Sequence, residues 1–210
     1  MTRTTEWVVS LETAEPGWLL VPSDLSSHER DTWIAEISDE LRTAWADGWQ
    51  DGYEATVRHW LEIALEDRDT SAAHMVFQVW PVFAPVAALC RVIVVPSREA
   101  PAWTEIDGVV HRVHAASVGP GLQWARRRTV IDDEGEKYEL CSLSYVFDDG
   151  ESTLIVALEE TAVELVSRIL TGFVGLLDSI RMETENGDSF ASVEPRGILE
   201  DSPWTLEEAT

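Results

Sequence analysis

Apolar residues along this chain alternate at first, then recur every three to four positions, alternate again, and finally return to the helical period. Trp7 to Leu11 and Trp18 to Val21 are short β-rich stretches on either side of the turn Glu15-Pro16-Gly17, and Pro22 closes the second. That spacing predicts an N-terminal hairpin. Ser26-Ser27-His28-Glu29 has the S-x-x-E form of a capping box, in which a serine and a glutamate satisfy each other's backbone N–H groups at a helix start. Behind it, Trp33, Ile34, Ile37, Leu41, Ala44 and Trp45 fall on one helical face, and Gly48 ends the run. A second helix is predicted over 52–68, with Val57, Trp60, Leu61, Ala64 and Leu65 on one face.

From Ala73 the period drops to two. Met75, Phe77 and Val79 share a side, and strands are predicted over 86–95, 109–114, 122–131, 138–147 and 151–158. Gly119-Pro120-Gly121, the 132–135 stretch and Asp148-Asp149-Gly150 supply the turns, and such close spacing implies antiparallel pairing. In the 138–147 strand Cys141, Leu143, Tyr145 and Phe147 share one face, with Ser142 and Ser144 on the other. A last helix, 161–182, carries the wide apolar stripe Val166, Ile169, Leu170, Phe173, Leu176, Leu177 and Ile180, which must be hidden against a sheet. Segregated runs of helix and strand give an α+β fold. The expected architecture is a single antiparallel sheet of about six to eight strands, two helices in the N-terminal half and one C-terminal helix packed on the sheet. Residues 1–182 form the predicted domain.

Residues 183–210 read differently. They hold eight acidic residues against the single Arg196, and their apolar residues are sparse and aperiodic. The composition predicts a disordered acidic tail whose removal costs the fold little. The alternative is that Ile198, Leu199 and Trp204 form a short motif that docks on a partner or back on the domain.

The element order and two short motifs resemble the PsbP-like fold, a group with a photosystem extrinsic subunit, a Ran-binding nuclear import factor and mycobacterial lipoproteins among its members. The motifs are Gly17-Trp18 to Val21-Pro22 and Asp178-Ser179-Ile180, the latter at the end of the last helix. The resemblance covers roughly 7–182 and implies a non-enzymatic scaffold that binds another protein. The chain departs from the lipoprotein members in showing no signal peptide and no lipidation cysteine, and its two acidic helices are long for the group.

Charge narrows the range of partners. The 210 residues include 39 acidic and 15 basic side chains, for a net charge of −24. Such a chain is not expected to bind nucleic acid, which needs clustered Lys and Arg, nor to settle on an anionic membrane. No apolar stretch is long enough to span a bilayer, and the N-terminus has no secretory pattern, so a cytoplasmic protein is expected. Residues 24–69 alone hold thirteen acidic residues against four basic ones, a solvated helical face.

No residue pattern identifies a reaction. His111 and His114, three apart on a strand, face opposite sides and cannot share a metal. Cys90 and Cys141 lie in apolar strands and read as small core residues. Neither a G-x-S-x-G elbow nor a phosphate loop is present. No catalytic residue, metal or cofactor is therefore assigned.

Two features point to protein recognition instead. Arg126, Arg127 and Arg128 form a basic run in an acidic chain, and strand alternation puts Trp124, Arg126 and Arg128 on one face. They could pair with the acidic helices or with Asp132 and Asp133, or they could receive an acidic segment of a partner or of the tail. Ten tryptophans are also far above the usual share, and Trp49, Trp103, Trp124 and Trp204 lie in turns or beside charges, where an exposed ring anchors an interface. The expected function is a non-enzymatic protein-binding module with partner contacts at Trp124, Arg126, Arg128, Trp49, Trp103 and Trp204. The alternative is a small-ligand-binding protein or enzyme with a pocket between sheet and helices.

Overall fold

A computed structural model describes residues 6–13, 17–102, 109–131 and 135–196. The fold is α+β. Seven strands form one antiparallel sheet: β2 (Trp18–Leu20), β3 (Met75–Val79), β4 (Ala88–Pro96), β5 (Val109–Ala115), β6 (Gly119–Ile131), β7 (Lys137–Asp148) and β8 (Ser152–Ala162). Their order across the sheet is β2-β3-β4-β8-β7-β6-β5. Helices α1 (Ser27–Trp45) and α2 (Tyr53–Thr70) lie between β2 and β3 in sequence, and α3 (Val163–Ser179) follows β8. A separate two-stranded sheet pairs β1 (Trp7–Ser10) with β9 (Arg181–Thr184).

The capping box forms as read. The Ser26 N–H donates to Glu29 Oε2 at 2.8 Å, and the Glu29 N–H turns back to Ser26 Oγ. Ile34, Leu41 and Trp45 of α1 pack with Val57, Leu61, Ala64 and Leu65 of α2 over Val76, Trp80 and Leu89, so the helix pair covers one face of the β2-β3-β4 half of the sheet. The other face carries the larger core. There Ile169, Phe173, Leu176 and Ile180 are all buried against Phe77, Cys90, Leu143, Tyr145, Phe147 and Val156. Phe173 sits at the centre, stacked on Tyr145 at 5.2 Å and edge-on to Trp18 at 5.6 Å. Cys141, Leu143, Tyr145 and Phe147 all turn to this face, as their alternation predicts.

Three local expectations are corrected by long-range pairing. The N-terminal hairpin does not form: β1 pairs with β9, and β2 pairs with β3. Trp7 and Trp18 bury their rings in different places. Trp7 meets Phe190 at 5.5 Å and donates from Nε1 to Ser152 Oγ, whereas Trp18 packs on Phe77 and Phe173. Gly17 makes the entry to β2 possible. Its φ of +85° suits glycine, and a Cβ there would lie 2.5 Å from the Trp80 carbonyl oxygen, which leaves no room for a side chain. The last helix also stops at Ser179, and Ile180 is already extended.

The third correction concerns the expected tail. As far as Arg196 it belongs to the domain. Glu183 and Thr184 lie in β9, Phe190 is buried and its N–H donates to the Met182 carbonyl, and the Ser192 N–H donates to the Val118 carbonyl. One buried ring, several backbone hydrogen bonds, the Ser192 hydroxyl and an Arg112–Glu194 ion pair hold this stretch, and none of these produces a periodic pattern in the sequence. Residues 197–210, with Ile198, Leu199 and Trp204, lie outside the described residues.

Candidate functional site

The basic strand is built as alternation predicts. In the β6–β7 register Trp124, Arg126 and Arg128 oppose Ser144, Ser142 and Leu140, on the face away from α3. Arg127 opposes Cys141, which faces α3. What the sequence does not reveal is a bulge in β8. Leu143 pairs with Leu158 and Cys141 with Thr161, so Ser142 faces two residues, Glu159 and Glu160. Such a bulge turns consecutive side chains toward one face. Arg128 grips Glu160 through Nε, at 2.7 and 2.8 Å from the two carboxylate oxygens, and through Nη2. Those hydrogen bonds, with the charges of Arg128 and Arg126, hold the Glu160 carboxyl below its ordinary pKa. On the other side of the bulge, Arg91 of β4 bridges Glu159 and Asp67 of α2. The arginine run thus ends a row of alternating charges that crosses the sheet from α2. Asp132 and Asp133, the partners considered from sequence, lie outside the described residues.

A second surface forms where the α1–α2 link meets the loop between β3 and β4. Trp45 packs against Trp80 at 5.7 Å and Trp49 at 5.3 Å, and Trp49 and Tyr53 meet edge to face at 6.1 Å. Arg42 lies over the Trp49 ring at 5.3 Å while paired with Asp39 and Glu54. Trp49 is therefore half-buried, one wall of an aromatic cluster. Beside it stands Phe83, 70% exposed, with its Cβ within 3.8 Å of where a Cβ on Gly48 would lie. Val86 in the same loop is also exposed. The loop is pinned despite its exposure: the Ala84 N–H donates to the Val82 carbonyl at 2.8 Å and the Val86 N–H to the Ala84 carbonyl at 2.7 Å, two successive three-residue turns. Pro81 and Pro85 fix two more backbone angles. In the sequence Pro81 and Pro85 mark only the connection before the strand predicted over 86–95. The Pro-x-Phe-x-Pro spacing was the available signal, because it stiffens the chain around a large apolar residue.

Of the six residues singled out from sequence, Trp124, Arg126 and Arg128 lie together on the sheet and Trp49 lies in the aromatic cluster. Trp103 and Trp204 lie outside the described residues.

The clefts are small or open. One, about 470 Å³, opens to solvent between Trp7, His74, Val94 and Ser152. A groove of about 160 Å³ runs between Trp60 and Ile63 of α2 and the strand residues Gln78, Leu89, Glu159 and Glu160. Gln78 is fully buried, and its Nε2 donates to the Trp60 carbonyl at 2.7 Å. Its Oε1 has no hydrogen-bond partner among the described residues. Both thiols are buried, which pushes their pKa values up. His111 is buried on β5, whereas His114 points away from the core. No helix among the described residues is long and apolar enough to cross a membrane, and no group of three or more His, Cys, Asp or Glu among them could hold a metal ion.

Compared with known proteins, the chain matches no family model, no curated protein and no solved structure.

Proposed function

We propose that the protein is a non-enzymatic protein-binding module, an adaptor, chaperone or assembly factor, and that the corner formed by Phe83, Val86 and Trp49 is its contact surface. The observation that carries this reading is an exposed phenylalanine on a stiffened loop. A buried Phe side chain contributes about 1.5–3 kcal/mol relative to an exposed one, and this domain leaves that contribution unused. A pinned loop also loses little conformational freedom when a partner closes over it, so more of the apolar gain becomes affinity. Aromatic side chains in such settings dominate interface energetics. The PsbP-like resemblance implies the same class of function. The basic strand is the weaker candidate, because an acidic partner would have to displace Glu160 from Arg128.

The test is affinity capture from native lysate with the wild-type chain, Phe83→Asp and Arg128→Glu. A stoichiometric species retained by the wild type and lost with Phe83→Asp, at unchanged melting temperature, is expected. Equal retention by Phe83→Asp with loss on Arg128→Glu moves the contact to the basic strand. Equal retention by both overturns the assignment of surface.

A second reading, a small-ligand-binding protein, is supported by the Gln78 groove alone. A buried carboxamide oxygen without a donor costs about 1–3 kcal/mol, and a ligand N–H entering the groove would offset that. Soaking crystals with small amines and amides tests it. Density for water alone at Gln78 removes the reading.

A further inference from the structure

We infer that the Phe83 corner receives a lysine- or arginine-bearing apolar segment of a partner protein. This rests on the protein-binding reading above and adds the chemistry of what binds. The α1–α2 link that meets Phe83 carries Asp47 and Asp51, and Arg42, Asp39 and Glu54 lie on the helices beside Trp49. Arg42 is already engaged, hydrogen-bonded to Asp39 at 3.0 Å, paired with Glu54 and held over Trp49. Asp47 precedes Gly48, which packs against Phe83, and Asp51 precedes the glycine that caps α2; both are exposed and neither forms an ion pair with a described residue. The apolar knob therefore packs on a link that carries two carboxylates without a cation.

The other occupants fit this surface less well. A second copy would bring the same carboxylates and another −24 charges to the contact, so self-association is opposed at close and long range. Anionic lipid headgroups meet the same repulsion. A cationic segment is drawn in by the field of the whole molecule, and its apolar side chain can then cover Phe83 and Val86 while its cations meet Asp47 and Asp51. The ring supplies affinity that salt does not change, and the carboxylates supply encounter rate and selectivity that salt screens.

The experiment is selection of randomised displayed peptides on the full chain at near-physiological salt, where charge screening acts over about 8 Å. Clones that also bind Phe83→Asp are removed. The expected survivors are peptides of net positive charge with at least one large apolar residue. For a surviving peptide, Phe83→Ala should weaken binding by about tenfold or more without altering its salt dependence. Asp47→Asn with Asp51→Asn should weaken it several-fold and flatten the salt dependence. Phe83-dependent peptides that are neutral or acidic overturn the cationic inference while leaving the protein-binding reading intact. Failure to enrich any Phe83-dependent peptide overturns the inference, and the lysate capture decides the broader reading separately. Concentration-dependent dimerisation in sedimentation, or flotation with phosphatidylcholine vesicles, abolished by Phe83→Asp in either case, would name a different occupant and also overturn it.

Discussion

Replacing Phe190 by alanine tests whether the chain beyond α3 is structural. The ring is 2% exposed and meets Trp7 edge-on at 5.5 Å, and the Phe190 N–H donates to the Met182 carbonyl at 2.9 Å. Truncating a buried Phe costs about 3–5 kcal/mol, the transfer of the ring plus the cavity left behind. The low end is expected, since 185–196 belongs to no helix or extended strand and can settle into part of the space. At about 3 kcal/mol, a domain of this size loses roughly 6–12 °C in melting temperature. Ser192→Ala is a milder companion. The Ser192 hydroxyl lies between the Val118 and Pro120 carbonyl oxygens, at 2.7 and 2.5 Å, and its loss should cost about 1 kcal/mol. Scanning calorimetry with a urea titration gives both numbers, and the urea slope should stay constant if only stability changes. A Phe190→Ala cost below about 1 kcal/mol would refute the argument, because a solvating tail loses nothing when one ring is removed.

Phe173→Ala should be more damaging, about 3–5 kcal/mol toward the upper end, because the ring is buried between Tyr145 and Trp18 and neither neighbour can follow it; urea unfolding measures it, and a loss under about 1 kcal/mol means α3 is not anchored there. Glu160 should titrate below an ordinary glutamate by carbon-detected NMR, since Arg128 hydrogen-bonds its charged form; the folded pKa is lowered, so the stabilisation is present above about pH 4.5, fades as pH falls through the folded value, and is absent in Glu160→Gln. As the pair is largely solvated, the effect should stay below about 1 kcal/mol. Cys90 and Cys141 should resist a thiol reagent in the native state and react in denaturant, since burial disfavours both thiolates; labelling of the native protein would place a thiol at the surface.

The elements that could be read from sequence are those whose signal is local. The Ser26–Glu29 box, the stripes of α1, α2 and α3, and the inward set Cys141, Leu143, Tyr145 and Phe147 depend on periods of 3.6 or 2 that any short window contains. The partners of β1 and β2 were hidden because pairing with β9 and β3 is decided by distant residues, and proximity along the chain favours the wrong hairpin. Phe190 was hidden because a single buried ring has no period. At the candidate surfaces, alternation placed Trp124, Arg126 and Arg128 correctly but could not show the extra residue in β8. Phe83 was passed over because prolines read first as a break between strands and only secondarily as a brace.

The β8 bulge bears directly on where a partner would bind. Without it, strict alternation past Leu158 would send Glu160 to the α3 face, beneath the apolar stripe, where a carboxylate would be costly to bury. With it, Glu159 and Glu160 both reach the opposite face, one toward Arg91 and one toward Arg128. The conspicuous basic run is thereby drawn into a row of charges internal to the fold, and its capacity to attract an outside anion falls. Meanwhile Arg42, the cation over Trp49, is taken up by Asp39 and Glu54 and leaves Asp47 and Asp51 without one. Charge is thus compensated at Arg128 of the basic run and uncompensated at Asp47 and Asp51. Two uncompensated carboxylates thus lie on the link that meets Phe83, the most exposed aromatic residue among the described ones, and a steering field beside an apolar anchor suits a protein-binding surface.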